Sequence, residues 1–160
     1  MSIEAVRSYF RPLGREQDIL EFPVSSATVE LAAQAVGVIP ARIVKTLSFS
    51  VEGGCVLIVC AGDAKIDNSK FKAIFHCKAK MLTADEVLDF TGHAVGGVCP
   101  FGIDNPAVTT YLDVSLRRFD TVYPAAGSSN SAIQLTCDEL AEYARSAGWV
   151  DVCKNWQTEE

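Results

Sequence analysis

Lys45-Thr46-Leu47-Ser48-Phe49-Ser50-Val51-Glu52-Gly53-Gly54-Cys55-Val56-Leu57-Ile58-Val59-Cys60-Ala61 is the stretch on which the fold turns. Leu47, Phe49 and Val51 alternate with Thr46, Ser48 and Ser50, the period-two signature of a half-buried strand. Glu52-Gly53-Gly54 then turns the chain into Cys55–Ala61, which is apolar on both faces and therefore reads as a central strand. Lys45 breaks the pattern. It shares the parity of the apolar positions at the beginning of the strand, so the pleat aims it toward the core side near one rim of the sheet.

Helices surround this hairpin. Ile3, Val6 and Phe10 recur at helical steps over residues 3–12, with Pro12 closing the run. Thr28 caps a second helix that ends at Gly37, and Asp67 caps a third with a Phe71, Ile74 and Phe75 stripe. Thr83-Ala84-Asp85-Glu86 and Thr136-Cys137-Asp138-Glu139 are capping boxes. The first opens a helix stopping at Gly92 and the second a helix running to Gly148. Further strands are expected at 79–82, 108–112, 120–124 and 132–135. Strands and helices mix without a strict βαβ rhythm. The expected class is therefore α+β: a mixed, largely antiparallel sheet or partly closed barrel flanked by helices. Residues 1–160 read as one domain, without repeats or linkers.

Gly96-Gly97-Val98-Cys99-Pro100-Phe101-Gly102 cannot be a helix or a central strand. It reads either as a tight turn or as a shaped loop whose Gly96 to Cys99 amides point at a ligand. Clustered N–H groups of that kind hold anions, carbonyl oxygens and developing oxyanions.

Composition narrows the setting. The chain is 49% hydrophobic and 21% charged, ordinary for a soluble protein. The apolar run from Cys55 to Gly62 is too short to span a bilayer, and the N-terminus lacks the apolar core of a secretory signal, so a cytoplasmic protein is expected. Its six cysteines contain no Cys-x-x-Cys pair and read as buried small hydrophobes. Neither His76-Cys77 nor His93 with Cys99 has zinc-site spacing, so no metal is expected. The net charge of −6 argues against tight binding of long nucleic acid. Lys65, Lys70, Lys72, Lys78 and Lys80 nevertheless share a window whose only acid is Asp67. They read as a solvated helix face or as a small patch facing phosphates.

Taken in order, several segments carry a resemblance. They are Lys45-Thr46-Leu47, Asp67-Asn68-Ser69-Lys70, the Gly-x-x-x-Pro loop at 96–100, Leu112-Asp113-Val114-Ser115-Leu116 and Ala125-Ala126-Gly127. Over roughly residues 20–148 the chain resembles the YbaK/prolyl-tRNA editing family, free-standing relatives of the editing insertion of bacterial prolyl-tRNA synthetases. The resemblance implies an α+β editing fold and hydrolysis of the ester of a mischarged aminoacyl-tRNA. The implied substrate is a small amino acid such as Ala or Cys on tRNA-Pro or a similar tRNA. The implied partners are the acceptor end of that tRNA and, as a candidate, a synthetase, with no DNA, membrane or cofactor. Gly127-Ser128-Ser129-Asn130 resembles the family's second glycine loop. The YbaK branch has basic residues after that glycine and an acidic one where Ala132 stands, so its cysteine specificity is not carried over.

On the residues alone Lys45 is either a strand-end lysine snorkelling its ammonium to water or a pocket lysine that holds substrate; the family's lysine at the matching place implies the second. The Gly97 and Val98 amides, with that of Cys99, are expected to hold the ester carbonyl and terminal ribose. Gly96, Cys99, Pro100, Gly102, Gly127, Ser128 and Ser129 are expected to line the site. Asp113 is either the N-cap of a short helix at 114–118 or an anchor in the pocket wall. His76 and His93 read as structural or solvated. Cys99 is the rival nucleophile, short of a base unless folding brings His93 across. Three readings follow: a deacylase acting in trans, a non-catalytic module for a tRNA end, nucleotide or synthetase, and a thiol enzyme.

Overall fold

A computed structural model describes residues 2–156. The chain opens with α1 (Ser2–Phe10), a 3-10 turn at Arg11–Leu13, β1 (Ile19–Glu21) and α2 (Val29–Val36). The hairpin β2 (Ile43–Val51) and β3 (Gly54–Ala61) follows, then β4 (Lys65–Ile66), α3 (Asn68–Phe75) and α4 (Ala84–Thr91). Past the glycine loop come β5 (Val108–Asp113), a 3-10 turn at Val114–Arg118, β6 (Thr121–Pro124), β7 (Ser131–Ile133) and β8 (Leu135–Thr136). α5 (Cys137–Tyr143), β9 (Trp149–Val150) and β10 (Cys153–Lys154) complete it. No helix among the described residues is long and apolar enough to cross a membrane.

Six strands form one sheet in the order β8-β6-β2-β3-β5-β9, curled into a half-barrel. β3 is central and buried along its length, as its unbroken apolar run demands. It pairs antiparallel with β2, setting Lys45 opposite Cys60 and Thr46 opposite Val59, and parallel with β5. The expected α+β class and mixed sheet are what the structure shows.

Alternation splits the core into two layers. Val44, Val59, Ala61 and Leu112 face Val6 and Phe10 of α1 and Leu140 of α5. Phe10 meets Phe101 and Tyr143 edge-on, with ring centroids 5.0 and 5.4 Å apart. Burying Val6 and Phe10 contributes roughly 1.5–3 kcal/mol each. Phe49, Val56, Ile58 and Cys60 face the other way, onto Phe71 of α3 and onto Val152 and Cys153.

Some expected elements changed length. Residues 79–82 make only a bridge, Met81 opposite Phe49, because Thr83 caps α4 at once and turns the chain away. The expected strand at 132–135 divides into β7 and β8, which serve β1 and β6 respectively. α5 stops at Tyr143 instead of reaching Gly148, since Arg145 adopts φ 52° and ends the helical path. The first helix stops at Phe10, where Pro12 sits in the 3-10 turn.

Asp113 resolves to a structural role. It is fully buried. One carboxylate oxygen accepts the Ser115 amide and the other the Val152 amide, both at 2.9 Å. It caps the 3-10 turn and fastens the C-terminal segment to the sheet, so its expected place among substrate-binding residues is corrected. Asp113→Ala leaves two buried donors unpaired, at about 1–3 kcal/mol each. Urea unfolding should show a loss of roughly 2–5 kcal/mol. A loss under about 0.5 kcal/mol, the range of ordinary surface substitutions, would contradict this role.

Candidate active site

The site begins as a gap in the sheet. On the outer side of β2, pairing with β6 covers only Ile43 and Val44. It resumes where Ser48 O accepts the Leu82 amide and the Ser50 amide donates to Lys80 O. Thr46 has the parity of Ser48 and Ser50, so its N–H and C=O face the gap as an unpaired sheet edge. β7, the 94–98 loop and the first turn of α2 close around that edge. They leave an open cleft of about 280 Å³.

Lys45 lines this cleft and is half-buried at the rim. Among the described residues its ammonium has no hydrogen bond or ion pair. Gly96, Val98, Thr46, Ser48, Ser131 and Ala132 line it too, with Leu82 and Val87 supplying apolar wall. The polar positions of β2 were legible only as the strand's second face. In the structure Ser48 is 5% exposed, held under the cleft by the 80–82 segment. Ser131 and Leu82 have no motif around them that would have marked them.

The glycine loop is shaped by a close contact. Gly96 adopts φ 99°, and a Cβ on Gly97 would lie 2.8 Å from Ser128 Cα and 2.9 Å from Gly127 C. The two glycine-bearing loops therefore meet backbone to backbone. Ser128 Oγ lies 2.7 Å from Ser131 Oγ and 2.9 Å from Asn130 Oδ1, bracing the second loop. Ser129 O accepts the Ser26 amide at 2.6 Å, which ties in the segment before α2. Ser128 and Ser129 thus back the glycine loop and do not line the cleft.

Three other expectations need correction. The Gly97 amide donates to Ala94 O at 3.0 Å, so it is spent inside the loop. The Val98 and Cys99 amides have no protein acceptor among the described residues. Pro100 and Gly102 lead away from the cleft and border a separate pocket of about 160 Å³ with Tyr9, Tyr143 and Arg145.

Cys99 lies under the loop, fully buried. Folding does bring His93 across, to 3.7 Å between Nε2 and Sγ. That nitrogen also lies 2.8 Å from Phe101 O, which can only accept, so Nε2 carries the proton. It cannot take one from the thiol. Burial holds the His93 pKa below its usual value, and the imidazole stays neutral. Burial also pushes the Cys99 thiol up to about 12, against a smaller opposing effect of a hydrogen bond from the Phe101 backbone. Neither a thiolate nor a base is available. Among the described residues, no three His, Cys, Asp or Glu side chains converge as a metal site needs.

A family model described as the aminoacyl-tRNA editing domain matches residues 24–143. The chain belongs to this family. It is 57% identical, over 98% of its length and all of the relative, to the uncharacterized protein YwhH of Bacillus subtilis (strain 168). It is 33% identical over 58% of its length to the proline–tRNA ligase of Thermotoga sp. (strain RQ2), a match that spans 16% of the ligase. A solved structure of a candidate trans-editing enzyme for prolyl tRNA synthetase superposes with TM-score 0.86 at 30% identity. That superposition covers 96% of this chain and 97% of the other.

Treating the folded editing domain with iodoacetamide at about pH 8, near the unperturbed thiol pKa, should label the half-buried Cys77, and more slowly Cys137, whose thiol pKa burial pushes up. The buried Cys55, Cys60, Cys99 and Cys153 should react only after unfolding. Peptide mass spectrometry reads the outcome. Rapid labelling of Cys99 in the native protein would contradict its placement.

Proposed function

We propose that this protein hydrolyses the ester of mischarged aminoacyl-tRNA, acting in trans in the cytoplasm. The observation that carries the reading is that Lys45, the free Thr46 edge and Val98 line one cleft, while the Val98 and Cys99 amides of the adjoining loop have no acceptor among the described residues. An aminoacyl ester is already an activated acyl group. Its hydrolysis needs orientation and a place for the charge that develops on the carbonyl oxygen.

The Val98 and Cys99 amides are the donors for that oxyanion, and each such donor is worth about 10²–10³ in rate. Lys45 holds the terminal nucleotide through a hydroxyl or phosphate oxygen. The Thr46 carbonyl accepts the substrate's α-ammonium. Water adds to the carbonyl carbon, and the tetrahedral intermediate expels the ribose oxygen, which leaves with a proton. The terminal ribose's free hydroxyl relays that proton. Leu82, Val87 and Ala132 limit the space for a side chain, which favours a small amino acid such as Ala or Cys. Likeness to the editing relatives of prolyl-tRNA synthetase favours tRNA-Pro, with the synthetase as a candidate partner.

One observation favours a second reading. Among the described residues no carboxylate and no imidazole lines the cleft, so none of them supplies a general base there. A non-catalytic module that grips a tRNA end would look the same. Titration with an acceptor-stem mimic beside a deacylation assay separates the two, since the module binds without turnover.

Lys45→Ala should lower single-turnover deacylation by at least about 10²-fold, while thermal melting moves little, as expected for a rim side chain. Lys45→Arg should also be poor, because a planar fork replaces a compact charge in a confined place. Near-normal turnover in folded Lys45→Ala would remove the lysine from the mechanism.

A further inference from the structure

A second cleft, of about 350 Å³, lies between the first turn of α3 and residues 78–79. Asn68, Ser69, Lys72, Lys78 and Ala79 line it. The lysine-rich window resolves here into cations with different duties. Lys70 is held by Asp151 at 3.0 Å and by the Cys153 carbonyl at 3.2 Å. Asp67, the window's one acid, accepts the Ser69 and Lys70 amides at 3.0 and 3.1 Å. The helix terminus is therefore already capped. Lys72 and Lys78 are exposed and, among the described residues, form no ion pair. The exposed Lys80 is likewise unpaired and adds to the same field.

This cleft is joined to the first by a short strip of chain. Met81 lines the catalytic cleft, and Lys78 lines the second one. Three residue steps lead from one to the other, so their Cα atoms are no more than about 11 Å apart even at full extension. Met81 stands between the clefts, 57% exposed, as an apolar rest for an unstacked base. The order along the surface is reacting centre, apolar step, paired cations. That is the order of ester, terminal nucleotide and preceding phosphates along a single-stranded acceptor end.

We propose that Lys72 and Lys78 form a phosphate site for the acceptor strand just before the esterified nucleotide. This inference rests on the tRNA reading above and adds where the strand runs. It also explains how a chain with net charge −6 holds RNA, through a few phosphates at one place. The lysines act through binding and touch no reacting atom.

The test uses the whole protein and an uncharged acceptor-stem minihelix with its single-stranded end, titrated by fluorescence at several salt concentrations. The variants are Lys72→Ala/Lys78→Ala, Lys72→Arg/Lys78→Arg and, as a control on the opposite face of the sheet beside α1, Arg11→Ala. Melting checks that each is folded. The double alanine variant should bind about tenfold more weakly, and its log affinity against log salt should flatten by about 1.4, or 0.7 per lost contact to a single strand. The arginine pair and the control should bind like the parent. In parallel, hydrolysis of an aminoacyl-adenosine, which has no such phosphates, should be unchanged by the double substitution.

Unchanged minihelix affinity and salt slope in the double alanine variant would overturn the proposal, and would leave a docking role toward an acidic protein surface for these lysines. An equal loss on aminoacyl-adenosine would overturn it too. If the parent protein binds the minihelix as described but hydrolyses no ester, the deacylase reading fails while the phosphate site stands.

Discussion

The contact between Gly97 and the Gly127-Ser128 backbone is the constraint on which the site depends. With no side chain between them, two irregular segments approach to a separation that any Cβ would violate. The first segment is thereby held with the Val98 and Cys99 amides unspent. The second is braced in turn by Ser128, Ser131 and Asn130, and through Ser129 by the irregular segment leading into α2. The cleft wall is built from backbone on backbone, a stiff arrangement suited to holding donors still as charge develops. His93 adds a pin from below, its Nε2–H directed at Phe101 O.

The hairpin supplies the other half. Because β3 is covered on both faces and the outer side of β2 is paired on either side of Thr46, β2 offers a short open edge within the sheet. Lys45 precedes that edge and Ser48 ends it. The proposed hydrolysis at such a site needs no nucleophilic side chain, and the Cys99 and His93 pair is not in working order. Cys99 is close to a histidine, yet the proton is on the facing nitrogen and the thiol is out of water. Proximity in the fold was not enough; the tautomer decided the matter.

Much of this was legible in the sequence, for identifiable reasons. Period two in Leu47, Phe49 and Val51 and the unbroken run at 55–61 told the hairpin, and the capping residues Thr28, Asp67, Thr83 and Thr136 marked helix starts that the structure keeps. Lys45 stood out by parity, and it does line the cleft. What escaped were features that only tertiary neighbours decide. β1, β4, β9 and β10 are two or three residues long and exist through their partners. The fate of each loop amide depends on a turn to Ala94, invisible in a glycine-rich string. Asp113 looked equally like a cap or a pocket anchor until Val152 was seen to take its second oxygen. Pro100 and Gly102 belong to the motif but face a different pocket, because the chain passes through the core at Cys99 and Phe101 before emerging.

The central claim is that backbone donors held by the Gly97 contact, and not the nearby thiol, carry the chemistry. Single-turnover deacylation of a mischarged tRNA by folded Gly97→Ala, run beside Cys99→Ser, tests it most directly. The account predicts a fall of about 10²-fold or more for the glycine variant, the cost of a misplaced oxyanion donor, and a change of only a few-fold for the serine variant. Near-normal hydrolysis by Gly97→Ala together with an inactive Cys99→Ser would contradict it.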